Sequence, residues 1–147
     1  MEAIIGKAAQ ETCEMLSGVD YLESNFRTQL ARLLRAQKLD VYEEVIIPYV
    51  IDKIPFGHGF ADIVILTPNG AILLELKTTK KDCTRQLQKY MKNWRYTPVV
   101  AGRVRSGIVI MIDSTPDEPE EFIEIANDKL AAINAAHDKI CAQRGIK

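Results

Sequence analysis

The chain has 147 residues, 47% hydrophobic and 27% charged, with a net charge of −1, enough to bury roughly two-thirds of its unfolded surface around one core and too apolar for a disordered chain. Its longest apolar runs fall far short of the roughly 20 residues a membrane helix needs, and an N-terminus carrying Glu2, Lys7, Glu11 and Glu14 does not read as a signal peptide. Three scattered cysteines, Cys13, Cys83 and Cys141, show no CxxC spacing and suit a reducing compartment better than a disulfide framework, so the expectation is one soluble intracellular domain over residues 1–147, cytoplasmic or nuclear, with no membrane partner and compatible with homo-oligomerisation.

Residues 2–16 read as a helix. A second helix starts near Asp20, a plausible N-cap with Glu23 three residues later as in a capping box. Val19, Leu22, Phe26, Leu30 and Leu33 fall on one stripe at helical spacing, which faces the core, and Glu23 sits about 100° from Leu22 at its margin. Residues 41–51 are rich in Val, Ile and Tyr and read as a strand, with Pro48 confining it to an edge or a bend. Residues 56–59 read as a loop. Residues 61–66 and 71–77 read as strands joined by the turn Thr67-Pro68-Asn69-Gly70, a β-hairpin.

Residues 81–95 read as a helix, 107–113 as a buried strand, and 119–143 as a long final helix with Pro116 and Pro119 at its start. The predicted order is helix, helix, three strands, helix, strand, helix, with no repeat or linker dividing it.

Charge is unevenly spread along this order. From Lys77 to Arg105 there are nine cationic residues against the single acid Asp82, and the balancing acids crowd between Asp113 and Asp128. On the helix 81–95, Lys81, Arg85, Lys89 and Lys92 lie within about 80° of one another and could follow a phosphate backbone. Cys83, Leu87, Met91 and Trp94 make the apolar face, and Gln86 and Tyr90 stand together between the two.

The chemistry concentrates on the second hairpin. Residues two apart on a strand share a face, so Glu75 and Lys77 emerge together. If Thr67 pairs with Gly70, Asp62 lies opposite Glu75 with the Cβ atoms roughly 5 Å apart. Pro68 cannot take the positive φ of a type I′ turn, and a type I turn with Gly70 as a bulge is the alternative; a one-residue slip would put the acids on opposite faces. Opposed like charges destabilise a sheet, and a divalent cation resolves the conflict. Mg²⁺ prefers oxygen ligands, commonly one or two carboxylates with water and substrate phosphate, and the Leu76 backbone carbonyl is a candidate third protein ligand. A lone ExK is ordinarily a solvated hairpin face; here it closes an apolar strand, faces an acid and leads into a basic helix. His58 and His137 are the only histidines, and neither a Ser/His/Asp set nor a phosphate-binding GxxxxGK[ST] loop is present.

These residues resemble the PD-(D/E)XK nuclease superfamily. Its core of helix, three-strand meander, helix and strand carries an acid on the second strand, here Gly59-Phe60-Ala61-Asp62-Ile63-Val64-Ile65, and the (D/E)xK on the third, here Leu73-Leu74-Glu75-Leu76-Lys77. Gln86-Leu87-Gln88-Lys89-Tyr90 is similar to the QxxxY motif of the RecB-like and Cas4-like branch. Tyr21-Leu22-Glu23-Ser24-Asn25-Phe26 is similar to the small GxxExxY family, departing from it at Asp20, where the motif has Gly, and at Phe26, where it has Tyr.

The resemblance implies an α/β, restriction-endonuclease-like core with extra N- and C-terminal helices. It implies a nuclease cutting phosphodiester bonds of nucleic acid, DNA above all, with Mg²⁺, for which Mn²⁺ can substitute. Asp62, Glu75 and the Leu76 carbonyl would hold the ion, Glu23 a second ion or its waters, and Lys77 would orient the nucleophilic water or stabilise developing charge. Gln86 and Tyr90 would position Lys77 and the phosphate, and Lys80, Lys81, Arg85, Lys89 and Lys92 would bind nucleic acid. The rivals are a nuclease-fold module that binds or assembles without cutting, and a protein-interaction domain whose acidic final helix docks on a basic partner.

Overall fold

The computed structural model describes residues 1–16, 22–77, 83–97, 103–111, 123–125, 127 and 130–144. They form α1 (Glu2–Met15), α2 (Glu23–Ala36), β1 (Asp40–Ile51), β2 (Ile54–Thr67), β3 (Gly70–Lys77), α3 (Cys83–Asn93), a 3₁₀ turn (Trp94–Tyr96), β4 (Val104–Met111), β5 (Ile123–Ile125) and α4 (Leu130–Arg144). The mixed sheet has the order β1-β2-β3-β4-β5, antiparallel except between β3 and β4, which are parallel with α3 in the crossover. This is the predicted α/β, restriction-endonuclease-like class. No helix among the described residues is long and apolar enough to cross a membrane.

Alternation along β3 sorts the interior into two layers. Ile72, Leu74 and Leu76 join Ile5 of α1 and Phe26, Leu30, Ala31 and Leu34 of α2 on one face. Ala71 and Leu73 join Leu87, Tyr90 and Met91 of α3, Trp94, and Ile133 of α4 on the other. Helices therefore cover both faces, as a central strand buried on both sides requires. Leu33, expected in the stripe of α2, only packs at its margin, and Leu22 is exposed.

β1 and β2 are longer than the sequence suggests. Residues 56–59, expected as a loop, are strand: Tyr49 pairs with Gly57, Pro48 with His58, Ile47 with Gly59. The hairpin closes at Asp52-Lys53, both with positive φ (50° and 67°) as a two-residue I′ turn requires. Glycine and proline in this stretch read locally as breakers. Gly59 instead leaves space, because a Cβ there would lie 2.6 Å from the Tyr90 ring and clash with the Tyr49 hydroxyl. Pro48 sits on the outermost strand of the sheet, as expected of an edge residue.

Halfway along this ribbon the side chains exchange faces. Val41, Ile63 and Ile65 point toward α1 and α2, whereas Val45, Ile47 and Ala61 belong to the α3 side. The exchange coincides with Glu44, held at φ 50° between the pairs Glu43↔Ile63 and Val45↔Ala61. A left-handed residue in a strand interrupts alternation and increases twist. Asp62 occupies the register position facing Glu44, where the ribbon turns out of the sheet.

Three further expectations are corrected. α2 starts at Glu23, with Leu22 at the cap and the Leu22 N–H donated to Asn25 Oδ1 at 2.8 Å; Asn25 takes the reciprocal role assigned to Glu23, and Asp20, Val19 and Tyr21 lie outside the described residues. The final helix does not run over 119–143. Ile123–Ile125 is a strand on β4, and Asn127 accepts from the Gly107 N–H at 3.0 Å before α4 begins. Pairing with the buried strand β4 overrides local helical pattern there. Pro116, Pro119 and Asp113 lie outside the described residues.

Candidate active site

The turn Thr67–Gly70 sets the register of the second hairpin. Thr67 Oγ1 donates to the Gly70 carbonyl at 2.8 Å and accepts from the Asn69 N–H, and Gly70, at φ 126°, alone in the turn has a positive φ. Thr67 pairs with Gly70 and the ladder continues to Ile63↔Leu74, so no slip occurs. One step on, the strands part. The Asp62 carboxylate reaches across and accepts the Leu76 N–H at 2.7 Å. Asp62 and Glu75 thus share the α3-facing side of the sheet at the point where β2 leaves β3.

Glu75 is 3% exposed; its Oε2 accepts no hydrogen bond from a donor among the described residues, while Oε1 lies 3.7 Å from Lys77 Nζ. Burial, then the facing Asp62 carboxylate, push its pKa up to about 9, with Lys77 opposing. Burial also raises Asp62 above its usual range, offset by the Leu76 N–H, Glu75, Lys77 and Arg27. The pair is within reach to share one proton, and Glu75 is the group that retains it.

Glu23 enters from the first turn of α2. It is half-buried, and burial followed by the charge of Asp62 raises its pKa, with Lys77 and Arg27 opposing. Glu23, Asp62, Glu75 and Lys77 therefore act on one another in one site. From α3, Gln86 Nε2 donates to the Tyr90 hydroxyl at 2.7 Å. Burial, then the Tyr49 hydroxyl and the charge of Glu75, push the Tyr90 pKa up and keep it a neutral phenol. Arg85, Lys89 and Lys92 are exposed on the same helix, with the Lys89 amine 4.1 Å over the Tyr49 ring. Lys80 and Lys81 lie outside the described residues.

Sequence reasoning missed two members. Arg27 follows Glu23 by one helical turn, the only signal for it, and binds Glu44 at 3.1 Å and Glu43 at 3.5 Å. It thereby ties the first turn of α2 to the face exchange beside Asp62. Tyr49 stacks on Tyr90 at 6.2 Å, which the ordinary alternation of β1 could not reveal because the exchange at Glu44 intervenes.

The donor set fits a divalent cation. A buried carboxyl whose Oε2 accepts no hydrogen bond from a donor among the described residues, a second carboxyl beside it, and a pKa raised by burial and then by their repulsion are what a cation would relieve. Among the described residues no three His, Cys, Asp or Glu side chains draw together to enclose an ion, so protein donors would be few and water or substrate oxygens would complete the shell, as Mg²⁺ allows.

A family model described as the PD-(D/E)XK nuclease superfamily matches residues 1–101, a span that includes every residue of this site. Neither the curated proteins nor the solved structures give a match.

Proposed function

Because the chain belongs to the PD-(D/E)XK nuclease superfamily, whose members generally hydrolyse nucleic acids with divalent metals, we propose that it is an Mg²⁺-dependent deoxyribonuclease acting through Asp62, Glu75 and Lys77. The observation that carries this reading is Glu75: a buried carboxyl facing a second one, with an oxygen that accepts no hydrogen bond from a donor among the described residues, where the β2–β3 ladder ends. A fold kept only for stability gains nothing from that arrangement.

Asp62, Glu75 and the Leu76 carbonyl would hold the cation, and Glu23 a second ion or the water around the first. When bound, the ion supplies Lewis-acid polarisation of the scissile phosphate and lowers the pKa of a water. Lys77, half-exposed beside Glu75, orients the attacking water and donates to the charge developing on phosphorus-bound oxygens. Tyr90, fixed by Gln86, presents a neutral donor toward the same phosphate. Arg85 and Lys92, with Lys80 and Lys81, neutralise flanking phosphates. A free Cys13 accords with an intracellular setting.

A binding module that no longer cuts would need the lysines but not the opposed acids. The test is cleavage of labelled single- and double-stranded DNA and RNA with Mg²⁺, and with Ca²⁺ as a binding control. Mg²⁺-dependent cutting that falls by ~100-fold or more in Lys77→Ala, the scale of one transition-state donor, is expected. Binding without cutting under any divalent ion, or a Lys77→Ala variant as active as wild type, would overturn the assignment.

A further inference from the structure

We propose that Phe56, at the bulge of the β1–β2 hairpin, is a stacking platform for an unpaired nucleobase, and that the site therefore selects single-stranded or frayed nucleic acid. This rests on the nuclease reading and specifies its substrate.

Phe56 falls where the ladder slips, between the pairs Tyr49↔Gly57 and Val50↔Pro55. The extra residue in such a bulge has no partner opposite, so its side chain is free to be re-aimed. Phe56 is 54% exposed, yet its ring lies 5.8 Å from Tyr49 at 33°. Tyr49 in turn stacks on Tyr90, which lies in the field of Glu75. An aromatic relay thus runs from the exposed Phe56 through Tyr49 to the buried Tyr90.

The relay is fixed and cationic. The Val50 N–H donates to Asn93 Oδ1 at 3.0 Å, and Asn93 Nδ2 donates to the Lys89 carbonyl at 2.9 Å, so the bulge is fastened to the end of α3. Lys89 sets its amine over Tyr49. An exposed aromatic face beside an ammonium group matches a base and its phosphate, and every base offers such a face whatever its sequence. A paired base, stacked on both sides within a duplex, could not reach Phe56. The occupant argued for is a nucleotide, whose base matches the exposed ring and whose phosphate matches the lysine, and a second copy of the chain is the outcome that the test separates from it.

The experiment measures binding of a single-stranded oligodeoxynucleotide carrying 2-aminopurine, and of its blunt duplex, in Ca²⁺, for wild type, Phe56→Ala, Phe56→Trp and Lys89→Ala. Phe56→Ala should weaken single-strand binding by about tenfold, within the range for loss of one stacked base, abolish the 2-aminopurine quenching, and leave duplex binding and the salt slope unchanged; Phe56→Trp should restore both. Lys89→Ala should reduce the salt slope by about one. Equal weakening on single strand and duplex, or single-strand affinity unchanged in Phe56→Ala while wild type still cuts with Mg²⁺, would overturn the platform and leave the nuclease reading standing. A wild type that neither binds nor cuts would remove both. A dimer in sedimentation that Phe56→Ala disperses, with single-strand affinity unchanged, would give the face to a second copy and overturn the proposal.

Discussion

Replacing Glu75 by Gln keeps the shape of the side chain and removes its charge, which isolates the conflict that the sheet holds in the absence of metal. Burial and the facing Asp62 lift the pKa of Glu75 from the ordinary 4.5 of a glutamate to about 9. A group raised in this way contributes no penalty below the unfolded value. Stability is then lost as pH climbs from 4.5 toward 9. At pH 7 the cost cannot exceed that of holding the proton, roughly 3 kcal/mol, and near pH 9 it approaches roughly 6 kcal/mol at 1.36 per unit. The side chain is only 5% exposed, so solvent screening offsets little of this.

In EDTA, urea unfolding of wild type and Glu75→Gln should therefore coincide near pH 5, and the variant should be more stable by roughly 2–3 kcal/mol at pH 7 and by more at pH 9. Adding Mg²⁺ should raise the midpoint of wild type and leave that of the variant where it was, because ligand binding stabilises only a protein that binds. Stability and activity should part company: the variant gains the first and loses the second. A gap of the same size at pH 5 and pH 9, or a variant less stable than wild type at pH 9, would refute the reasoning.

The same proton links activity to pH. On the proposed reading a cation held by Glu75 displaces that proton, so cleavage at limiting Mg²⁺ should rise by up to about tenfold per unit toward pH 9 and flatten when Mg²⁺ is saturating; initial rates across a pH series check this. Arg85→Ala with Lys92→Ala should lower the slope of log affinity against log salt by about two without changing sequence preference, read by anisotropy titrations at several salt concentrations. Gly59→Ala, whose Cβ would press on the Tyr90 ring at 2.6 Å, should destabilise the protein by about 1–3 kcal/mol in urea unfolding.

The carboxylate pair was legible because it depends on local rules. Alternation puts Glu75 and Lys77 on one face, and the Thr67–Gly70 turn fixes which residue of β2 meets them. What stayed hidden depends on distant partners. Nothing local marks Glu44 as the residue that takes φ 50°, and Gly59 reads as a breaker until Tyr49 and Tyr90 fill the space that its Cβ would take. The strand Ile123–Ile125 exists because β4 has an edge to fill, a fact that the segment's own sequence does not contain.

These hidden features are also what makes the legible pair usable. Had the β2–β3 ladder run on past Ile63↔Leu74, two carboxylates would face each other in a closed sheet, each held by the regular pairing of its own strand. The twist at Glu44, tied to α2 through Arg27, draws β2 away at Asp62 and frees the Leu76 N–H to hold the Asp62 side chain. The same rotation swings Tyr49 and Gly59 onto Tyr90. One left-handed residue on an edge strand thereby coincides with the end of the β2–β3 ladder beside the acids and with the exchange that brings Tyr49 onto Tyr90, so the geometry of the site is set at a position that carries none of its chemistry.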